Sequence, residues 1–283
     1  MKKMYLWTAL IIGSIVVTSC EKTPQVTQDP EPETKEATLP EAMSAMGQYA
    51  EANSLFSNSF GVASQHTLEL SSQQKVPSYL KNNTYPIVDV NPKDSVWPKT
   101  ITIDYGSENI WGNDMRQHRG KMTVVATGLY RTEGSELTVS FDNYYIDNYK
   151  LEGTQIIKNM GRNSSNQLIY NVKVLNGKLI SPQNIASTYV QNTIRTWIEG
   201  DSTLFDVLDD TYSIEGNQSG ISSDTIAYAL TTVEPMQVNV GTKWPLSGKL
   251  DVTVSGLPKF QLIFEGDTAK VNIYGVDYPI SLQ

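Results

Sequence analysis

The chain has 283 residues, 39% of them hydrophobic, and carries 30 acidic against 22 basic side chains, for a formal net charge of −8. This length is enough to bury a core. The negative charge argues against nucleic acid and against anionic lipid headgroups as partners. Because the chain contains one cysteine, it forms no internal disulfide, and its stability must come from the core.

The first twenty residues have the layout of a secretory signal. Lys2 and Lys3 supply positive charge, residues 10–17 (LIIGSIVV) are apolar, and VTSC ends at Cys20. The apolar run is too short to span a bilayer comfortably. VTSC resembles the lipobox of bacterial lipoproteins, in which the chain is cut before the cysteine and the sulfur carries diacylglycerol. We therefore expect residues 1–19 to be a signal peptide and Cys20 to anchor the protein to a membrane of the bacterial cell envelope, the outer membrane, facing either the periplasm or the surface.

The next segment changes from tether to helix. Residues 20–38 comprise the lipidated cysteine and an acidic, proline-rich stretch that predicts a flexible tether. Thr38 and Glu41 have the spacing of a capping box, which predicts the start of a helix. Met43, Met46 and Tyr49 then recur at helical spacing, so this helix should pack on a sheet and fray near residues 57–59. Residues 39–283 are predicted to form the folded domain.

Most of the remaining chain predicts β-strands. Stretches such as LTVSFDN (137–143) and KLDVTVSG (249–256) alternate apolar and polar residues. Such alternation is typical of antiparallel sheet with one face in water. We therefore predict a mainly β fold: an antiparallel multi-stranded meander, built as a sheet, a sandwich or a half-barrel, with one N-terminal helix.

Turn signals separate the predicted strands. Asn176-Gly177 is the strongest, because both residues tolerate the positive φ of a type I′ hairpin turn. Asp147-Asn148 and residues 265–267 are weaker signals of the same kind. GKMTVVATG (120–128) and GKLDVTVSG (248–256) also share a spaced pattern. They indicate either two related β halves, with a break near residues 180–200, or chance convergence of similar strands.

Several short segments resemble a group of uncharacterised lipoproteins of the Bacteroidetes. The segments are TITIDYG (100–106), RGKMTVVATG (119–128), FDNYYIDNYKLEGT (141–154), RTWIEG (195–200) and FEGDTAKVNIYGVDYPISL (264–282). Members often carry a cysteine just after an Asp-Phe/Tyr-Gly triplet, and residues 107–110 and 267–269 contain none here. The resemblance implies export, lipid anchoring and a β fold, but no activity.

Four short segments are similar to the Bacteroidetes O-glycosylation motif, in which Asp is followed by Ser or Thr and then by a small or aliphatic residue. The acceptors would be Ser95, Ser202, Thr225 and Thr268. The alternative is ordinary turn chemistry, because Asp-Ser and Asp-Thr suit loops. If the chain is a lipoprotein, we expect at least one of the four to be modified.

No recognised catalytic motif occurs in the sequence, and we predict neither a metal nor a cofactor. The segment IDYGSENIWGNDMRQHRGKMTV (103–124) is one candidate site. Asp104, Glu108 and Asp114 are possible oxygen ligands for Ca²⁺, and His118 is a possible base. The alternative is a long connection in which the arginines of this segment pair with its carboxylates and contribute little.

RTWIEGDSTLFDVLDD (195–210) is the second candidate. Arg195, Trp197 and Glu199 share one face of a strand, and the residues between them share the other. If the aliphatic face is buried, Trp197 is exposed between two charges and suits sugar binding, with Tyr144 extending the platform. The alternative is a tryptophan packed under a loop with Arg195 stacked on it.

We therefore expect a lipid-anchored, non-catalytic module of the cell envelope that binds a glycan or a protein and has no nucleic-acid partner. A polysaccharide hydrolase is the first alternative, with Glu199 and either Asp201 or Asp209 as its two carboxyls. A subunit of a surface assembly is the second, and it would present unpaired edge strands.

Overall fold

The computed structural model describes residues 33–70, 86–203, 207–240 and 242–280. The expected signal peptide, Cys20 and most of the expected tether lie outside these residues and stay predictions. The described chain begins with one long helix, α1 (Leu39–Glu69). Fourteen strands follow: β1 (Ile87–Asn91), β2 (Lys99–Asp104), β3 (Ile110–Trp111), β4 (Gln117–Ala126), β5 (Glu136–Ile146), β6 (Tyr149–Arg162), β7 (Leu168–Ile180), β8 (Ala186–Glu199), β9 (Thr211–Ile221), β10 (Ala227–Asn239), β11 (Ser247–Val254), β12 (Phe260–Glu265), β13 (Thr268–Ile273) and β14 (Val276–Ile280).

The strands form one antiparallel sheet in chain order, from β1 and β2 through β4 to β14, while the short β3 pairs with β4 beside this path. The predicted mainly β meander with one N-terminal helix is therefore confirmed. The long strands alternate buried and solvent-facing residues, as in β7. Residues 180–200 lie within the sheet, because a short turn joins β7 to β8 and β8 pairs with both β7 and β9.

The helix is enclosed by the sheet rather than laid on one side of it. Seven consecutive residues, 50–56, are all buried. A helix packed on a single face would instead expose part of every turn. Strands β6, β8 and β9 each hydrogen-bond to the helix, through the pairs Gln155–Ser59, Tyr189–Asn53 and Gln218–Tyr49. The sheet therefore curves around α1, and polar helix residues face the interior.

The start of the helix follows the sequence pattern. The backbone amide and the hydroxyl of Thr38 both donate to Glu41 Oε2 at 2.8 Å, so the predicted cap is confirmed. Just before it, the amides of Lys35 and Ala37 donate to the carbonyls of Thr225 and Ser255. The described end of the expected tether is thus hydrogen-bonded to the β domain.

The predicted fraying of the helix is wrong. Residues 57–59 are helical, and Ser59 is fully buried. Its hydroxyl bonds to Phe56 O and to Gln155 Oε1, both at 3.0 Å. The polar residues of this stretch face partners on the sheet, which satisfies them without opening the helix.

Two of the three predicted turns are confirmed. Asp147 and Asn148 join β5 to β6 with φ of 48° and 69°, and Gly266, with φ of 62°, joins β12 to β13. The hairpin predicted at Asn176-Gly177 is wrong, because β7 continues through it. Asn176 has φ of 52° in a β-bulge opposite Gly153. A bulge can require the same positive φ as a hairpin turn, so the local signal is the same for both.

Candidate functional site: a cavity between helix and sheet

A cavity lies between the second half of α1 and the strand ends that face it. It measures about 60 Å³, several times the roughly 10–15 Å³ that a cavity needs to hold one water molecule. We call it the central cavity, and residues that line it include Ser57, Gly61, Arg195, Trp197, Tyr212 and Trp244. Its wall combines aromatic rings, helix hydroxyls and two buried cations, Arg116 and Arg195.

Arg116 pairs with Asp147, and Arg195 is the other cation. It lies on β8 with 2% of its surface exposed, and its guanidinium carbon is 4.0 Å from the centre of the Phe60 ring. Nη2 donates to Ser57 Oγ at 2.9 Å, whereas Nε is buried without a hydrogen-bond partner among the described residues. Burial lowers the pKa of Arg195 to about 10, which leaves the group charged at neutral pH.

Trp197 lies inside the protein, so the predicted glycan platform is wrong. Trp197 is 3% exposed, and its Nε1 donates to Asp210 Oδ1 at 3.1 Å. The aliphatic residues of β8 face outward instead, with Ile198 37% exposed. The alternative, a packed Trp197 with Arg195 stacked on it, is right that the tryptophan is packed, but the guanidinium of Arg195 lies over Phe60.

Trp197 faces inward because of the side chains that β8 meets inside the protein. Arg195 and Trp197 pair across the sheet with Ile214 and Tyr212, and Trp197 stacks on Tyr212 with ring centres 5.6 Å apart. The face of β8 with the larger aromatic surface is therefore the buried one. The Ser57 hydroxyl of the helix accepts a hydrogen bond from Arg195 on that face. The other two residues of the predicted platform do not share one surface: Glu199 is exposed, whereas Tyr144 is fully buried.

Asp210 is one of two aspartates that line the same cavity, with Asp114. Burial raises the pKa of Asp210 to about 7, and the negative charge of neighbouring Asp209 adds to the effect. The hydrogen bonds from Trp197 Nε1 and from the hydroxyl of Tyr212, at 3.1 and 3.5 Å, act in the opposite direction. Burial prevails, so the carboxyl keeps its proton across much of the acidic range.

The second predicted site divides into a buried half and an exposed half. His118 is fully buried, and its Nε2 lies 3.0 Å from both oxygens of Asp114, while its Nδ1 lies 2.9 Å from the Tyr144 hydroxyl. Asn58 of the helix donates to Asp114 Oδ2 at 2.7 Å. Burial acts to raise the pKa of Asp114, but interaction with His118 and these hydrogen bonds hold it below its ordinary value. These contacts connect α1, the loop that carries Asp114, and strands β4 and β5.

The exposed half does not join it. Asp104 accepts from the Gly106 amide at 2.9 Å and pairs with Lys121 at 3.2 Å, and Glu108 is exposed. The three carboxylates therefore do not converge as Ca²⁺ ligands. Across the described ranges, no three acidic, histidine or cysteine side chains form a group suited to a metal ion.

The arginines of this segment have partners other than those predicted. Arg116 pairs with Asp147 at 2.8 Å, outside the segment, and also donates to Ser54. Arg119 lies over the Tyr145 ring, 3.8 Å from its centre. The expected pairing with carboxylates of the segment is wrong, because the β5–β6 turn approaches the arginines more closely.

Three of the four expected glycosylation acceptors lie at turns or in loops, and Thr268 is the first residue of β13. Ser95, Ser202 and Thr268 are exposed, while Thr225 is half-buried with φ of 62°. Asp94 accepts a hydrogen bond from the Val96 amide, as the turn chemistry of Asp-Ser predicts. Modification of these residues stays a prediction.

A second, more open space lies along the first half of α1. This side groove measures about 450 Å³, and residues that line it include Met43, Gly47, Gln48, Tyr149, Ile185 and Trp244. Trp244 lines both spaces. The helix therefore presents one glycine to each of them, Gly47 to the side groove and Gly61 to the central cavity.

These two glycines are the signal that sequence reasoning missed. A Cβ atom at either position would meet no atom of the described chain within 4 Å. A glycine inside a helix costs roughly 0.5–1 kcal/mol relative to alanine. Neither close packing nor a positive φ requires glycine here. Their effect is to leave the two spaces open.

Comparison of the chain with family models, with curated proteins and with solved structures gives no significant match. No helix in the described ranges combines the length and the apolar character that crossing a bilayer requires.

Proposed function

We propose that this protein is a lipid-anchored protein of the bacterial cell envelope that binds a small ligand in the central cavity without converting it. The N-terminal sequence, with its lipobox-like VTSC, supports the anchor. The central cavity supports the binding role, because it is lined by aromatic rings and carries a few polar groups, which is the usual composition of a ligand site.

One observation carries the proposal: Gly61 keeps the cavity open at a cost in helix stability. Filling empty space in a core commonly stabilises a protein, and alanine favours helix over glycine. A side chain at position 61 would bring both gains, the filled space and the better helix former, because a Cβ there meets no described atom within 4 Å. A chain selected for stability alone would fill this position, so the open space is better explained by an occupant.

The test uses the two helix glycines as a matched pair. Wild-type protein, Gly61→Leu and Gly47→Leu are screened by ligand-observed NMR against a library of small metabolites. Compounds that bind the wild type should also bind Gly47→Leu, and Gly61→Leu should abolish their binding. Circular dichroism and thermal unfolding should show all three proteins folded.

The opposite pattern would contradict the proposal. Binding lost in Gly47→Leu and kept in Gly61→Leu would move the site to the side groove. Binding that survives both changes would place it on another surface.

A second candidate, a hydrolase, is favoured by Asp210, whose raised pKa suits a general acid. It predicts turnover of a panel of fluorogenic glycosides that Asp210→Asn abolishes and Asp209→Asn keeps. The absence of turnover in the wild type would leave the binding role alone.

A further inference from the structure

Within the part of the chain that the structure describes, Arg195 has no counter-ion. Among the described residues, no carboxylate oxygen lies within 4.0 Å of its guanidinium, and Ser57 Oγ is its hydrogen-bond acceptor. The rings of Phe60 and Tyr212, with centres 4.0 and 5.4 Å from the guanidinium carbon, supply cation–π contacts. These contacts offset only part of the cost of taking a charge out of water.

Arginine does not escape this cost by losing its proton, because its guanidinium stays charged in proteins. An isolated buried charge is retained where something pairs with it. Since Arg195 lines the central cavity and Nε has no described acceptor, the missing partner fits best as the occupant of the cavity. That occupant must carry negative charge next to a planar, forked donor.

The remaining wall restricts the kind of anion. Asp114 and Asp210 line the same cavity together with Arg116 and Lys243. Because Arg116 and Lys243 already pair with Asp147 and Glu51, a second negative charge on the ligand would meet the carboxyl groups of Asp114 and Asp210. Val238, Val240 and Trp244 supply an apolar side. The volume of about 60 Å³ accommodates only a few non-hydrogen atoms. A carboxylate matches the guanidinium fork through two parallel hydrogen bonds, and it brings a single charge.

We infer that the central cavity binds a small monocarboxylate with a short apolar body, and that Arg195 is the residue that binds its carboxylate. The inference rests on the proposed function, because it names the ligand class of the same cavity. It predicts discrimination by charge: an uncharged molecule of the same shape leaves Arg195 unpaired, and a phosphate brings excess charge to Asp114 and Asp210.

The experiment compares butyrate, its uncharged isostere butyramide and inorganic phosphate by titration calorimetry on the wild-type protein. Butyrate should bind about tenfold more tightly than butyramide, or better, as hydrogen bonds to a charged group imply. Phosphate should bind more weakly than butyrate. This comparison needs no variant and therefore does not depend on the folding of any.

Arg195→Met supplies the second readout. Methionine has a similar length and no charge, so the variant should fold and lose the preference for butyrate over butyramide. Equal affinity of the two ligands in the wild type, or an unchanged butyrate affinity in Arg195→Met, would overturn the inference.

The two proposals fail in different ways. If library compounds bind the wild type and not Gly61→Leu while butyrate shows no preference over butyramide, the binding function stands and the role of Arg195 falls. If no compound distinguishes the wild type from Gly61→Leu, both fall.

Discussion

Replacing Asp210 by asparagine should change how stability depends on pH. Asp210 is buried beside Trp197 and Tyr212, and burial raises its pKa from 3.8 to about 7. Between these values the folded protein keeps a proton that the unfolded chain has released. The stabilisation from this group is therefore complete below about pH 4 and is lost as pH rises through about 7.

The size of the effect follows from the shift. One pKa unit corresponds to about 1.36 kcal/mol, so the whole range is worth about 4 kcal/mol, of which roughly 2–3 kcal/mol falls between pH 5 and pH 8. Asparagine keeps the shape and an acceptor for Trp197 Nε1 but does not titrate. The stability of Asp210→Asn relative to wild type should accordingly rise by roughly 2–3 kcal/mol from pH 5 to pH 8.

Urea unfolding at the two pH values, followed by circular dichroism, measures this difference. Glu199→Gln is the control, because Glu199 is an exposed carboxylate on β8, and it should follow the wild type. If Asp210→Asn and wild type changed in parallel between pH 5 and pH 8, Asp210 would ionise in the fold as it does in the unfolded chain. The burial argument would then be wrong.

Two further predictions concern residues that hold the fold. Gly120 and Gly134 both have φ of 82°, but a Cβ at Gly120 would lie 1.8 Å from Asn143 O, whereas one at Gly134 meets no described atom within 4 Å. By thermal unfolding, Gly134→Ala should cost about 1–2 kcal/mol and Gly120→Ala several times more, and equal losses would refute the clash. Asp114→Ala should cost roughly 3–5 kcal/mol because it leaves the buried Nε2 of His118 without its partner, whereas Asp104→Ala, at an exposed pair, should cost less than about 1 kcal/mol. A comparable loss from both aspartates in chemical unfolding would contradict the buried pairing.

The β meander was predictable because its evidence is local. Alternation within each strand and the turn at Asp147-Asn148 need no knowledge of distant residues. The failure at Asn176-Gly177 has the same origin, since the pair specifies a backbone conformation and not its place in the sheet. Only the pairing with Gly153 distinguishes a bulge from a hairpin there.

The orientation of β8 was not predictable in this way. Its alternation places an arginine and a tryptophan on one face and aliphatic residues on the other, and a shift by one residue exchanges the faces. The choice depends on the interior, where α1 presents Ser57 and Phe60 to Arg195. The serine- and asparagine-rich stretch that suggested fraying is the feature that makes the interior able to accept the arginine.

The central cavity needs the fold before it can be recognised. Two glycines in a predicted helix are a weak signal by themselves, because such residues often mark a helix end or a tight contact. Only the enclosure of α1 by the sheet shows that Gly61 faces open space beside Arg195 and Trp197. A site assembled from the middle of a helix and the ends of several strands leaves no compact motif in the sequence.

The most direct test is the mass of the full-length protein expressed in a bacterium and extracted from its membranes in detergent. Under denaturing conditions, we predict a chain that begins at Cys20 and carries acyl groups. Under native conditions, the same protein should carry an additional small molecule that Gly47→Leu retains and Gly61→Leu lacks. An unacylated chain that keeps residues 1–19 would contradict the anchor. A native mass equal to the denatured mass, or an added mass that Gly61→Leu retains, would contradict binding in the central cavity.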